Sequence, residues 1–273
     1  MLSCTLFLIS CQTQKPFTHL DAQITVEGPI EISLDLKNWK KVINDSDFDQ
    51  YLAKAYPSFE FVPVTTPTGI PPFYVVSEDS IEETTRGYLE IPIYIRSDDV
   101  AIIQWRSASL SSVPVLWTSD CDFRSAASDV LTGSEIYSTI SNAIRISLTG
   151  NVLGETQIVV YERSQGYHHN NVLGSGGNLS EGSQGLSGFL SYYYSTHQSM
   201  LFGADNVSVA PAITDIREQN NIYLSTLSQG SKGPQTTIKL RIWVERWDPD
   251  SYPAILDQDF SLSLVFIGKR SIN

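Results

Sequence analysis

The sequence predicts a mainly β fold, a jelly-roll-like or immunoglobulin-like antiparallel β-sandwich with short helices. One reason is the alternation of Ile238, Leu240, Ile242 and Val244 with Thr237, Lys239, Arg241 and Trp243, and of Phe260, Leu262, Leu264 and Phe266 with Ser261, Ser263 and Val265. A period of two turns one set of side chains to a buried sheet face and the other towards solvent. Another is the connection between these runs, Glu245 to Asp259, which is too long for a tight hairpin and suits a crossing between sheets. The third is that short alternating runs recur along the rest of the chain, with room only for short helices.

At the amino terminus, Met1 to Cys11 is a short apolar run without the positive charge that usually opens an export signal. Leu8-Ile9-Ser10-Cys11 resembles the bacterial lipobox, whose cysteine is lipidated and becomes the first mature residue. The same residues are also compatible with another export signal or a buried strand. The expected organisation is residues 1–11 as an export or lipoprotein-like signal, 12–22 as a tether, and 23–273 as a single sandwich domain with a flexible insertion at 166–188. If lipid-modified, Cys11 would be the one link to a membrane.

Ile30, Ile32, Leu34 and Leu36 define an early strand ending near Trp39. From Asn44 to Tyr56 the period changes to that of a helix, capped by Asp45 or Ser46, with Phe48, Tyr51, Leu52 and Ala55 on one face and Pro57 as its stop. Residues 61–72 are rich in proline and read as an irregular crossing. Leu89, Ile91, Ile93 and Ile95 define a strand in which Pro92 points to an edge or a bulge. Val100 to Trp105 and Val113 to Thr118 are further strands, and Ser125 to Leu131 a short helix. Ile144 to Leu148 and Gln157 to Tyr161 form a hairpin around a turn at Gly150 to Gly154.

Charge and composition narrow the function classes. The chain has 273 residues, a formal net charge of -12 and only 18% charged residues. Such a surface repels phosphate backbones and anionic lipids, so no nucleic-acid partner is expected. Removing Cys4 and Cys11 would leave only Cys121, too few for an intramolecular disulfide. No phosphate-cradling loop, dinucleotide fingerprint or HExxH zinc motif occurs. His168 and His169 are adjacent, so on an extended segment they point apart, poorly arranged for zinc.

Glu245, Asp248 and Asp250 are the best carboxylate group. They are candidates for a Ca2+ site, for the paired acids of a glycoside or peptide hydrolase, or for a hydrogen-bonded turn. Trp247 and the run Tyr192, Tyr193 and Tyr194 are the candidate ligand-binding aromatics, able to stack on sugars if exposed. No catalytic residue is assigned and no obligatory cofactor is expected.

Two stretches carry a resemblance: Ala143 to Leu148, and Ile238 to Asp250 continued through Ala254-Ile255-Leu256 and Phe260 to Phe266. They are similar to uncharacterised secreted proteins of Gram-positive bacteria, whose tail commonly reads strand, Trp-Glu-Gly-Trp-Asp, short loop, strand. Arg246 stands where that pattern has glycine. Those proteins in turn resemble, distantly, the biofilm matrix-fibre and camelysin group. The resemblance implies a β-sandwich in an extracellular, cell-surface or matrix setting, with a non-enzymatic structural, adhesive or assembly role. The expected partners are other surface or matrix proteins, a second copy of the chain, or glycans if the domain is instead a carbohydrate-binding module.

Overall fold

The computed structural model describes residues 20–77, 80–99, 101–124, 129–163, 212–213, 222–227, 236–248, 250–251, 253–255 and 258–270. Strands β1 (Leu20–Glu27), β2 (Ile30–Ser33) and β3 (Val42–Ile43) precede helix α1 (Asp45–Ala55). A separate hairpin, β4 (Phe73–Val76) and β5 (Ile81–Thr84), leads to the long strands β6 (Tyr88–Ser97) and β7 (Ala101–Ser111). An excursion follows through β8 (Val115–Thr118), β9 (Phe123–Arg124), β10 (Asp129–Val130) and β11 (Glu135–Ser138). Helix α2 (Ile140–Ala143) runs directly into the hairpin of β12 (Ile144–Val152) and β13 (Glu155–Glu162). The last elements are β14 (Ala212–Ile213), β15 (Ile222–Leu227), β16 (Thr236–Val244), a single 3-10 turn at Pro253–Ile255, and β17 (Phe260–Arg270).

The chain is mainly β and sandwich-like. One sheet has the order β15-β7-β17-β1-β3 and the other β14-β13-β12-β16-β6-β2. Because β16 and β17 lie in different sheets, the connection after Glu245 crosses between them as its length predicts. The core is the set of inward positions of both sheets: Leu89, Ile91, Ile93, Ile95, Ile144, Ile146, Leu148, Ile238, Leu240 and Ile242 on one side, and Leu20, Ile24, Ile103, Trp105, Leu262, Leu264 and Phe266 on the other. The sheets approach closely where β12 faces β15; a Cβ on Gly150 would collide with the carbonyl oxygen of Leu224. Only glycine fits there.

Several expectations change in detail. Most strand pairs are antiparallel, but β1 runs parallel to β17 along its whole length, from Leu20 opposite Phe260 to Glu27 opposite Ile267. No turn joins these two strands, so chain connection does not impose the antiparallel direction. β1 begins at Leu20, inside the segment expected to be a tether. The early strand stops at Ser33, where Asp35 accepts hydrogen bonds from the backbone N–H groups of Lys37 and Asn38 and closes a turn. Helix α1 is capped one residue earlier than expected: the Asn44 side chain accepts from the Asp47 N–H and Asp47 reaches back to the Asn44 N–H, a reciprocal capping box. Over 125–131, Asp129–Val130 pair with Phe123–Arg124 as strands rather than helix, and 125–128 lie outside the described residues. The insertion at 166–188 also lies outside them.

Pro92 sits in β6 between β16 and β2, yet β2 reaches only to Tyr94. Opposite the missing stretch the Tyr56 hydroxyl donates to the Glu90 carbonyl and accepts from the Glu90 N–H. Glu90 and Pro92 share the same strand parity, so the absent N–H of Pro92 faces this local edge and costs no ladder bond.

Candidate functional site

The outer face of the six-stranded sheet carries a polar corner in an unusual place for charge. Alternation along β12 sends Ile144 and Ile146 to the core and Arg145 to the opposite face, but Arg145 is only 3% exposed. Its cross-strand neighbours are Glu162 on β13 and Trp243 on β16. Arg145 Nε lies 2.9 Å from Glu162 Oε2, Nη2 donates to Asp248 Oδ2 at 2.6 Å, and Nη1 donates to the carbonyls of Asn142 and Ile144. Glu245, the residue after β16, shares the outward parity of Trp243 and accepts its indole N–H at 3.0 Å. Its other oxygen accepts the Trp247 backbone N–H. Asp248 Oδ1 accepts the Asp250 N–H at 2.7 Å, the geometry of an aspartate-closed turn.

The backbone around this corner is pinned as well. Segment 64–66 crosses the sheet end, with Val64 and Val244 joined by a backbone bond and Arg246 donating to the Val64 carbonyl. Val64 and Phe73 bury a small second cluster with Trp243 and Val160, and Phe73 stacks on Tyr88. Glu245 donates its backbone N–H to Ala143, which ties the end of β16 to α2.

Burial shapes the electrostatics. Withdrawal from water pushes the Asp248 carboxyl up to about 7; Arg145 pulls against that shift and neighbouring Asp250 adds to it. Burial likewise raises Glu245, against the pull of Arg145 and the Trp243 indole. Burial opposes the charge on Arg145, but Glu162, Asp248 and Glu245 together outweigh it and hold the guanidinium above its ordinary range. A carboxyl that titrates near neutrality often marks a reactive site. Here both oxygens of Asp248 face protein donors and the residue is buried, so the chemistry supported is cross-linking of β12, β13 and the corner.

The structure therefore brings Glu245, Asp248 and Asp250 together, as the sequence groups them, but around an arginine. Among the described residues no group of three His, Cys, Asp or Glu side chains is placed to hold a metal ion. Calcium needs about 6 to 8 oxygen ligands, and the carboxylate oxygens of Glu245 and Asp248 accept from Trp243, Trp247, Asp250 and Arg145. Trp247, a candidate stacking ring if exposed, is buried, with the Arg246 guanidinium 5.3 Å from its ring centre. An indole is a large apolar surface, and its removal from water favours burial. Tyr192, Tyr193, Tyr194 and Cys11 lie outside the described residues. Arg145 and Glu162 are the corner residues that sequence reasoning missed.

A second feature is a ribbon made by β8 and β11, flanking the short pair β9 and β10. Leu116 faces Tyr137 across the ladder and Trp117 faces Ile136, so the two pairs lie on opposite faces. Trp117 and Ile136 pack with Phe123, Val130, Cys121 and Ala254 in a cluster of their own. Leu116 and Tyr137 are exposed, as are Val113, Val115 and Leu131 nearby. The base of the ribbon is fastened by Ser112 to Ser141, and by Gln258, which donates to the Ser138 hydroxyl and accepts the Ile140 N–H.

No helix among the described residues is long and apolar enough to cross a membrane. No family model, no curated protein and no solved structure matches this chain.

Proposed function

We propose that the chain is a non-enzymatic extracellular protein of the cell surface or matrix, with a structural, adhesive or assembly role. The observation that carries this reading is the ribbon. Five of the ten exposed large hydrophobic residues among those described lie between Val113 and Tyr137, two of them, Leu116 and Tyr137, directly opposed on one face, and exposed apolar side chains on an ordered support favour contact with another molecule. The lipobox-like Leu8 to Cys11 and the likeness of the C-terminal strands to secreted Gram-positive proteins support the location. Glu245 and Asp248, buried against Arg145, Trp243 and Trp247, lend a hydrolase reading no support, and the buried Trp247 lends none to carbohydrate stacking.

The test is fractionation of native cells combined with intact mass. The expected result is protein in the envelope or matrix fraction, with an acyl-modified Cys11 if it is lipid-anchored or with ladder-like assemblies if it polymerises. Protein confined to the cytosolic fraction overturns the proposal.

A further inference from the structure

We propose that the face of the β8–β11 ribbon on which Leu116 and Tyr137 are exposed docks a cationic polypeptide segment carrying apolar anchors. This names the partner chemistry of the adhesive role and rests on that role.

The face is built rather than incidental. Trp117 and Ile136 hold one side of the ribbon on its small cluster, which fixes Leu116 and Tyr137 on the other side as directly opposed neighbours. Leu116 is 52% exposed, and Val113, at the base of the ribbon, is 79% exposed. Leu131, in the turn whose Gly133 N–H donates to the Ser119 carbonyl and whose Ser134 carbonyl accepts the Ser119 N–H, adds a further exposed apolar side chain.

Charge selects the occupant. Asp120, Asp122, Asp129 and Glu135 are all exposed within this excursion. Asp122 is held below the usual carboxylate range by the backbone N–H and hydroxyl of Thr132, so it stays ionised at any ordinary pH. A second copy would bring the same acidic rim and a net charge of -12, and an anionic glycan or lipid surface would meet the same repulsion. A segment with Lys or Arg complements the rim, and their long aliphatic stems can lie along Leu116 and Tyr137 while the charged heads reach the carboxylates.

The experiment immobilises the full chain and titrates a short Lys-rich peptide bearing two Leu residues, beside the same peptide with Ser for Leu and with Glu for Lys. The Lys and Leu peptide should bind best. The double variant Leu116→Ser with Tyr137→Ser should weaken it about tenfold or more. Asp120→Asn with Glu135→Gln should weaken it several-fold, chiefly through slower association and a shallower salt dependence. The single variant Leu116→Ser, at a position 52% exposed, gives a second apolar probe should the double variant fail to fold. Equal binding by wild type and variants overturns the proposal, as does equal binding of the Ser peptide, which would reflect net charge alone. Ribbon-dependent self-association without peptide binding overturns it in favour of a second copy. None of these outcomes moves the protein between cell fractions, so this failure and that of the surface role are separable.

Discussion

Arg145 and Asp248 stand 103 residues apart in the chain and meet in a buried ion pair with Nη2 and Oδ2 at 2.6 Å. The pair joins the start of β12 to the corner that follows β16, and Glu162 completes it from β13. Removing the cation leaves buried carboxylates without it, which is far more costly than never burying the pair. Arg145→Met should lower unfolding free energy by about 3–5 kcal/mol. Urea denaturation followed by tryptophan fluorescence measures it, and a loss below about 1 kcal/mol would show that the corner does not depend on the guanidinium.

The same corner sets a pH dependence. Asp248 binds its proton more tightly in the folded chain, with its pKa pushed up to about 7 from an ordinary value of 3.8. Between these values the folded state holds more protons than the unfolded one, so this group's contribution is complete below about pH 4 and is lost as the pH rises to about 7. Glu245, also raised by burial, acts in the same direction. Glu90 acts oppositely: despite partial burial, Lys239 and Arg241 hold it below its ordinary value, so its contribution is lost on acidification. Asp248→Asn should flatten the fall of the urea midpoint between about pH 4 and about pH 7. An equal fall in both proteins would exclude Asp248 as its source.

How much of this was legible in the sequence depends on where alternation is unbroken. β6, β12, β16 and β17 keep strict parity and could be read directly. β7 could be followed only to Trp105, because Arg106 is an extra residue opposite β17: Val265 pairs with Ser107 and Phe266 with Trp105. The inward set therefore shifts from Ile103 and Trp105 to Ala108 and Leu110, and a fixed period loses the strand. β1 alternates cleanly from Leu20 to Val26, yet its first residues overlap the tether expected over residues 12–22. At the corner, Glu245, Asp248 and Asp250 were visible because they are close in sequence. Glu162 was not, although a two-residue turn at Leu153 and Gly154 sets Arg145 opposite Glu162. The burial of Trp247 depends on three-dimensional packing that strand periodicity does not encode.

That turn offers a test of local strain. Leu153 has φ 53° and Gly154 φ 94°, the two positive values of a type I′ hairpin turn. Gly154 adopts this conformation freely, whereas Leu153 carries a Cβ penalty and gains little from packing because it is 85% exposed. Leu153→Asn should stabilise the chain by about 0.5–1 kcal/mol, since asparagine tolerates the left-handed region. The backbone N–H of residue 153, which donates to Thr226 Oγ1, is retained in the variant. A thermal midpoint equal to or below that of wild type would mean that the leucine is not strained.

Trp247 separates a framework role from a ligand-binding one. Its ring is buried under the Arg246 guanidinium, and its backbone N–H is fixed by Glu245. Trp247→Ala should therefore lower unfolding free energy by about 3–5 kcal/mol. Trp247→Phe, which keeps an aromatic ring in the site, should cost clearly less. A binding platform would behave differently, because removing an exposed ring changes stability by no more than about 0.5 kcal/mol. If Trp247→Ala unfolds with an unchanged urea midpoint, the ring is not a structural element of the corner. A graded loss from phenylalanine to alanine places its contribution in the packing that holds Glu245 and Asp248 against Arg145.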